Sequence, residues 1–356
     1  MKENGIYTAT NIFTGHEWLQ HHSIIVADGL IKEILPTNRL LVPATATVDC
    51  FVPAFIDLQI YGAQEKLFSV FPEADALKKL HEYCSEGGAD YFLPTVATNT
   101  NEVIYACIDA IKQYWQKDGK GCLGLHIEGP WINKIKRGAH QEAIIHSPSI
   151  EEVKTLLEYG NGIIKMITLA PEVCSKQIIA LIKSFGIIVS AGHSNISYND
   201  AMQFFDDGMI TTVTHLYNAM SPLHHREPGL VGAALSHENI MASIIPDGYH
   251  VDFAAIKIAK KIMMERLFVI TDAVTATNKG FYPHQLEGDK YVSNGILSGS
   301  ALTMKKAVKN LIGHCNIELD EALRMCSLYP AKVLGLSHEL GLIEEGYKAN
   351  FIEWQE

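Results

Sequence analysis

An eight-stranded (β/α)8 barrel of TIM type, with a small β-sandwich domain formed by both chain ends, is the α/β fold this sequence predicts. Three observations carry the prediction. From residue 51 onward, roughly eight short apolar runs alternate with amphipathic helical stretches, the rhythm of a parallel barrel. Residues 1–50 and the tail beyond 334 have strand-and-turn character instead. No Gly-rich dinucleotide loop follows the first apolar strand, which disfavours a doubly wound open sheet. The expected division is 1–50 plus 335–356 for the small β domain and 51–334 for the barrel.

The elements follow in order. "IYTATNIF", "HHSIIVADGLIKEILP" and "TATVDC" supply β-branched alternation, and Asp28-Gly29 is a hairpin-type turn pair. The barrel strands are expected in "FVPAFIDLQI", "DYFLPTV", "CLGLHIE", "IIKMITLA", "GIIVSAGH", "TTVTHL", "IMASIIPD" and "LFVITDA". Helical patterns lie between most of them, for example over 75–87 and 101–117. Two more helices are expected around 303–313 and 318–334, before "GLIEEGYKANFIEWQE" returns to strand, turn and strand.

Bulk composition narrows the function. The 356 residues are 47% hydrophobic and 19% charged, enough for a substantial core. A net charge of -11 argues against binding nucleic acid or an anionic membrane, both of which need a basic face. No apolar run reaches the roughly 18–20 residues of a spanning helix. "MKENGIYTATNIF" lacks the apolar centre of a signal peptide. Seven scattered cysteines without a C-x-x-C pair read as reduced, packed thiols, so a cytoplasmic protein is expected.

In a barrel, chemistry gathers at the C-terminal ends of the strands. There this sequence places Gln59 and Tyr61, Glu128, His193, His215, Asp247 and Asp272. Glu128, His193 and His215 should converge on one mouth. Two imidazoles and a carboxylate, with a fourth position left for water, make a catalytic zinc ligand set. Asp272, after "LFVIT", is placed to take a proton from that water. On the first strand Asp57, Gln59 and Tyr61 alternate, so all three should point to one face.

Local motifs add to this reading. "VPAFID" (52–57), "LHIEGPWIN" (125–133), "KRGAH" (136–140), "SAGHSN" (190–195), "VTHLYNAMSPLHHREPGLVGAAL" (213–235), "IPDGYHVD" (245–252), "VITDAV" (269–274), "LSGSALTM" (297–304) and "GLIEEGYKANF" (341–351) occur in order. Together they resemble the N-acetylglucosamine-6-phosphate deacetylases of the amidohydrolase superfamily, across essentially the whole chain. The resemblance implies a metal-dependent hydrolase barrel that converts N-acetyl-D-glucosamine 6-phosphate to D-glucosamine 6-phosphate and acetate. It implies one divalent ion per subunit on Glu128, His193 and His215, with Zn2+ expected first and Fe2+, Co2+ or Mn2+ as alternatives. Asp272 would be general base and then general acid, and His140 would face the substrate carbonyl or a neighbouring hydroxyl. Asn218, Ala219, Arg226 and His250 would take the phosphate, with Arg226 presented across a homodimer interface to the neighbouring site. Ser300 in the Gly-rich turn has no histidine partner in its sequence context and is not expected as a nucleophile.

Many amidohydrolases carry H-x-H where this chain has Gln59 and Tyr61, and an amide and a phenol are poor substitutes for two imidazoles. A single ion is therefore expected, with Gln59 and Tyr61 hydrogen-bonding the site and Asp57 bracing the strand. Preference for the gluco over the galacto epimer rests on one hydroxyl contact, which leaves N-acetylgalactosamine 6-phosphate as the rival substrate. A barrel that binds a sugar phosphate without catalysis fits an intact ligand set poorly.

Overall fold

A computed structural model describes residues 2–355. The first four strands, β1 (Gly5–Phe13), β2 (Trp18–Ala27), β3 (Leu30–Pro36) and β4 (Ala46–Pro53), join the last, β18 (Phe351–Glu353), in one five-stranded sheet. Its order is β18-β4-β1-β2-β3, so the two chain ends pair as expected. Tyr7, Ile12, Ile24, Ile31, Phe51 and Phe351 form the core of this small unit.

The barrel strands are β5 (Phe55–Ile60), β8 (Ala89–Ala97), β9 (Leu125–Glu128), β10 (Ile164–Leu169), β11 (Ile188–Ala191), β12 (Thr212–Val213), β13 (Met241–Ile244) and β14 (Leu267–Val269). Each pairs in parallel with the next. The ring closes between last and first: Asp272 N donates to Gln59 O at 3.0 Å and Tyr61 N to Ala273 O at 2.9 Å. Each of the eight predicted runs overlaps one of these strands. Between them, β6 (Gly62–Ala63) and β7 (Lys66–Leu67) form a short ribbon just beyond β5.

Helices α1 (Ala74–Glu86), α2 (Asn101–Gln116), α3 (Ile150–Tyr159), α4 (Lys176–Ser184), α5 (Tyr198–Asp206), α6 (Gly229–Ser236), α7 (Phe253–Met263) and α8 (Met304–Cys315) each follow a barrel strand. Serine starts several: Ser149 accepts from Glu152 N and the Glu152 side chain reaches back to Ser149 N, a capping box that satisfies two otherwise orphaned donors. Buried faces such as Leu77, Leu80 and Cys84 of α1 continue the barrel core. Six of the seven cysteines are buried thiols, as expected. Among the described residues no helix is long and apolar enough to cross a membrane.

Three local features differ from the sequence-based expectation. The run 51–60 is two strands, not one: Phe51 to Pro53 pair with β18, while Phe55 onward enters the barrel. Pro53 is the last residue of the first of them, and Ala54 N still donates to Asn350 O at 3.1 Å before the chain turns into the barrel. The helix expected over 318–334 is broken at Ser327 into α9 (Leu319–Cys326) and α10 (Leu328–Val333). Pro330 explains the break, because its ring would collide with the Cys326 carbonyl in a continuous helix. Finally, β15 (Gln285–Glu287), β16 (Lys290–Ser293) and β17 (Ile296–Ser300) make an antiparallel insertion between β14 and α8. Its second turn is Asn294-Gly295, both at positive φ (51° and 76°), the geometry of a tight hairpin.

Candidate metal centre and active site

Four barrel strands bring the expected acid and base groups to one mouth. Glu128 is the last residue of β9, and His193, His215 and Asp272 lie two or three residues beyond β11, β12 and β14. The last three hold φ of 48°, 36° and 53°, a left-handed conformation that costs a non-glycine residue on the order of 1 kcal/mol or more. Such residues persist where packing fixes them, and here each turns a side chain from the strand into the mouth. A cavity of about 320 Å3 lies above them. Its wall includes Tyr61, Glu128, His140, His193, His215, Asn218, Ala219, His250 and Asp272.

The polar contacts are short and specific. Glu128 Oε1 lies 3.0 Å from His215 Nε2 and 3.3 Å from His193 Nε2, and the two Nε2 atoms are 3.1 Å apart. His193 Nδ1 donates to the Lys136 carbonyl at 2.9 Å, which leaves a lone pair on Nε2. Glu128 Oε2 faces elsewhere: it accepts from the Tyr61 hydroxyl and lies 3.3 Å from His140 Nε2. Gln59 Nε2 ties the set together, 2.7 Å from Tyr61 Oη, 3.0 Å from Glu128 Oε1 and 2.9 Å from Asp272 Oδ1. The amide must present nitrogen here, because its oxygen would face two carboxylates.

This donor set suits a divalent ion. Four donors around zinc at about 2.0–2.1 Å are separated by about 3.3–3.4 Å. The Glu128, His193 and His215 triangle, with edges of 3.0, 3.1 and 3.3 Å, is close to that size. Glu128, His140 and His193 also bring one donor each within 4.8 Å of one another, but His140 approaches the other carboxylate oxygen, Oε2. His215 Nδ1 is buried with no hydrogen-bond partner among the described residues.

Comparison with known proteins places this arrangement. The model of the Amidohydrolase family matches residues 51–356, and that of the NagA composite domain matches residues 6–45. The chain belongs to the amidohydrolase family. It is 34% identical to the N-acetylglucosamine-6-phosphate deacetylase of Haemophilus influenzae, over 95% of this chain and 92% of that protein. It is 32% identical to the N-acetylgalactosamine-6-phosphate deacetylase of Escherichia coli O157:H7, over 98% and 94%. The crystal structure of N-acetylglucosamine-6-phosphate deacetylase from Pasteurella multocida superposes with a TM-score of 0.92 at 35% identity, covering 97% of this chain and 94% of that one.

Electrostatics in this amidohydrolase follow from burial and from the crowd of imidazoles. Burial alone would raise Glu128, but His193, His140 and His215 outweigh it and hold the carboxyl well below the usual range. Burial raises Asp272, and the Glu128 charge adds to it, against the lowering by His215, His250 and His193. Asp272 is thus more basic than an ordinary aspartate. Burial, with His193 beside it, pushes His140 down to about 4, and its Nδ1 lies 2.7 Å from Thr98 Oγ1. Burial and the two carboxylates hold the Tyr61 phenol well above its usual value, so it stays a donor.

The sequence-predicted residues separate into groups. Gln59 and Tyr61 meet the carboxylates at the mouth. Asp57 does not join them; it lies deeper and accepts from Thr271 N at 3.2 Å and from Thr271 Oγ1, tying β5 to the segment after β14. Asn218 and Ala219 line the cavity, Ala219 at φ 48°. Arg226 does not reach it: the side chain is exposed and its Nε donates to His225 Nε2 at 3.1 Å. His250 stands beside Asp272, its Nε2 3.9 Å from Oδ2. The sequence reading did not single out Tyr282 and His284, which reach the cavity from around the insertion together with Leu297 and Ser298, the first two residues of the "LSGSALTM" motif. The turn pairs Gly288-Asp289 and Asn294-Gly295 are the sequence signals that mark that insertion.

Proposed function

We propose that this amidohydrolase hydrolyses N-acetyl-D-glucosamine 6-phosphate to D-glucosamine 6-phosphate and acetate, with one divalent ion, zinc first, held by Glu128, His193 and His215. The observation that carries the reading is the Glu128–His193–His215 triangle joined through Gln59 to Asp272. When bound, the ion supplies a Lewis acid that polarises the amide carbonyl and lowers the proton affinity of the attacking water. Gln59 occupies Asp272 Oδ1, which leaves Oδ2 to accept the proton of that water. Asp272 then returns this proton to the nitrogen as the carbon–nitrogen bond breaks. His140, neutral near pH 7, donates to the developing oxyanion. The Tyr61 hydroxyl and Gln59 hold the Glu128 carboxylate still throughout.

Asn218 and Ala219 would meet the phosphate from within the chain. Arg226 would reach the cavity of a second subunit, a homodimer reading supported by its exposure and its absence from its own cavity wall. The thiol state of the buried cysteines supports a cytoplasmic setting. Similarity to the Escherichia coli O157:H7 protein favours N-acetylgalactosamine 6-phosphate as the second reading. Hydrolysis of the two phosphorylated sugars and of free N-acetylglucosamine should be compared on one metal-loaded preparation. Preference for the phosphorylated gluco sugar is expected, and equal rates on all three would remove the assignment.

A further inference from the structure

Asp247 has no part in the reading above, yet its side chain is 4% exposed and fully occupied. Oδ1 accepts from Tyr249 N and His250 N, each at 2.9 Å, and Oδ2 lies 2.6 Å from His250 Nδ1. Burial would raise this carboxyl, but His250 and the backbone donors outweigh it and hold it below the usual range. An ionised carboxylate only accepts, so the proton of that short contact sits on His250 Nδ1. The other ring nitrogen, Nε2, is thereby left as an acceptor in the neutral ring. It faces Asp272 Oδ2 across 3.9 Å, and both residues line the cavity. A base whose far nitrogen is fixed by a buried carboxylate is the arrangement that sets tautomer and orientation in hydrolytic triads.

Proton accounting gives this pair something to do. Hydrolysis of a secondary amide to carboxylate and ammonium moves two protons from the water oxygen to the nitrogen. Asp272 carries one at a time. We infer that Asp247 is a positioning residue that fixes the His250 tautomer, and that His250 Nε2 is the second proton carrier beside Asp272. In this sequence the water adds through oxygen to the acyl carbon and its first proton passes by Asp272 to the nitrogen. The carbon–nitrogen bond then breaks, with its electron pair leaving on the amine. The remaining proton of the carboxylic acid passes to His250 Nε2 and on to the amine, which leaves as ammonium. Asp247 stabilises the imidazolium formed in between. The inference rests on the deacetylase reading and moves His250 from phosphate contact to the reacting end.

The test is Asp247→Asn and His250→Gln in the metal-loaded protein, with both phosphorylated and free N-acetylglucosamine as substrates. Asp247→Asn is expected to lower kcat by about 10²-fold or more, with KM changed by less than about threefold. The same relative loss in kcat/KM is expected on the unphosphorylated sugar, with metal content unchanged. Nitrogen NMR of histidine-labelled protein, assigned by difference with His250→Gln, should show a proton on Nδ1 in the wild type and its redistribution in Asp247→Asn. A loss confined to KM for the phosphorylated sugar would make His250 a phosphate ligand and overturn the inference. So would a wild-type ring protonated on Nε2. If Asp247→Asn does not fold, His250→Gln supplies the same kcat-against-KM decision. Failure of the wild type on both sugars would remove the deacetylase reading, while the ring tautomer would still judge the Asp247 pairing.

Discussion

The Tyr61 hydroxyl donates to Glu128 Oε2, the carboxylate oxygen that faces away from the His193 and His215 Nε2 atoms. Oε2 is thus held by the tyrosine, while Oε1, which also accepts from Gln59 Nε2, faces the two imidazoles. Outer partners of this kind fix ligand orientation, and their loss typically weakens metal binding by about 10–100-fold. Tyr61→Phe keeps the ring packed against Leu67, Val274 and Tyr282 and removes only the hydroxyl. Chelator-competition titration should show affinity reduced by that factor, with saturation at one ion per chain in both proteins. Unchanged affinity would mean that Gln59 alone holds the acid.

Asp272→Asn separates proton transfer from metal binding. The asparagine side-chain oxygen can still accept from Gln59 Nε2, now 2.9 Å from Asp272 Oδ1, so the site should keep its shape. Metal content is expected to stay near the wild-type value while turnover falls by about 10²–10⁴-fold. Retained turnover would take Asp272 out of the reaction.

The same residues show what a sequence discloses and what it withholds. The eight barrel strands were legible because strands buried on both faces read as near-continuous apolar runs, and the polar residues ending those runs stand out. Glu128, His193, His215 and Asp272 were found that way. The insertion escaped because Gln285–Glu287 is only three residues long and wholly exposed, too short for its alternation to stand out. The depth of Asp57 escaped because period two gives a face and not a layer; Gln59 and Tyr61 reach the mouth, and Asp57 stops at Thr271. The Asp247–His250 contact is local, three residues apart, yet nothing in the spacing says that the ring turns toward Asp272.

Arg226 tests the assembly. Its guanidinium is exposed and outside its own chain's cavity, so a role in catalysis requires a second copy. Arg226→Ala should weaken binding of the phosphorylated sugar by about 1.5–3 kcal/mol, roughly tenfold or more in KM, and leave free N-acetylglucosamine unaffected. Mixing Arg226→Ala with Asp272→Asn subunits then gives a decisive readout. In the hybrid, the Arg226→Ala subunit keeps its own Asp272 and receives arginine from its partner. Activity at low substrate concentration should rise above that of either variant alone, and no recovery on mixing would place Arg226 outside the neighbouring site.

Asp57 predicts a slope of stability with pH. Burial raises its carboxyl from 3.8 to about 7, partly offset by the Thr271 and Gln59 donors, with Asp272 adding to the rise. Tyr83, Cys84 and Cys326 also face it and stay neutral in this range, their own values raised by burial. Because the folded-state value is higher than the unfolded one, the folded chain binds the proton more tightly between about pH 4 and pH 7. The contribution of this group to stability therefore falls as pH rises through that window and levels off above it. Asp57→Asn removes the titration, so the stability difference between variant and wild type should move in favour of the variant from pH 5 to pH 8. Denaturant unfolding of both proteins, metal-loaded and at fixed ionic strength, measures that difference. A difference that does not change with pH would mean that Asp57 is already ionised at pH 5 and that the Thr271 donors outweigh its burial.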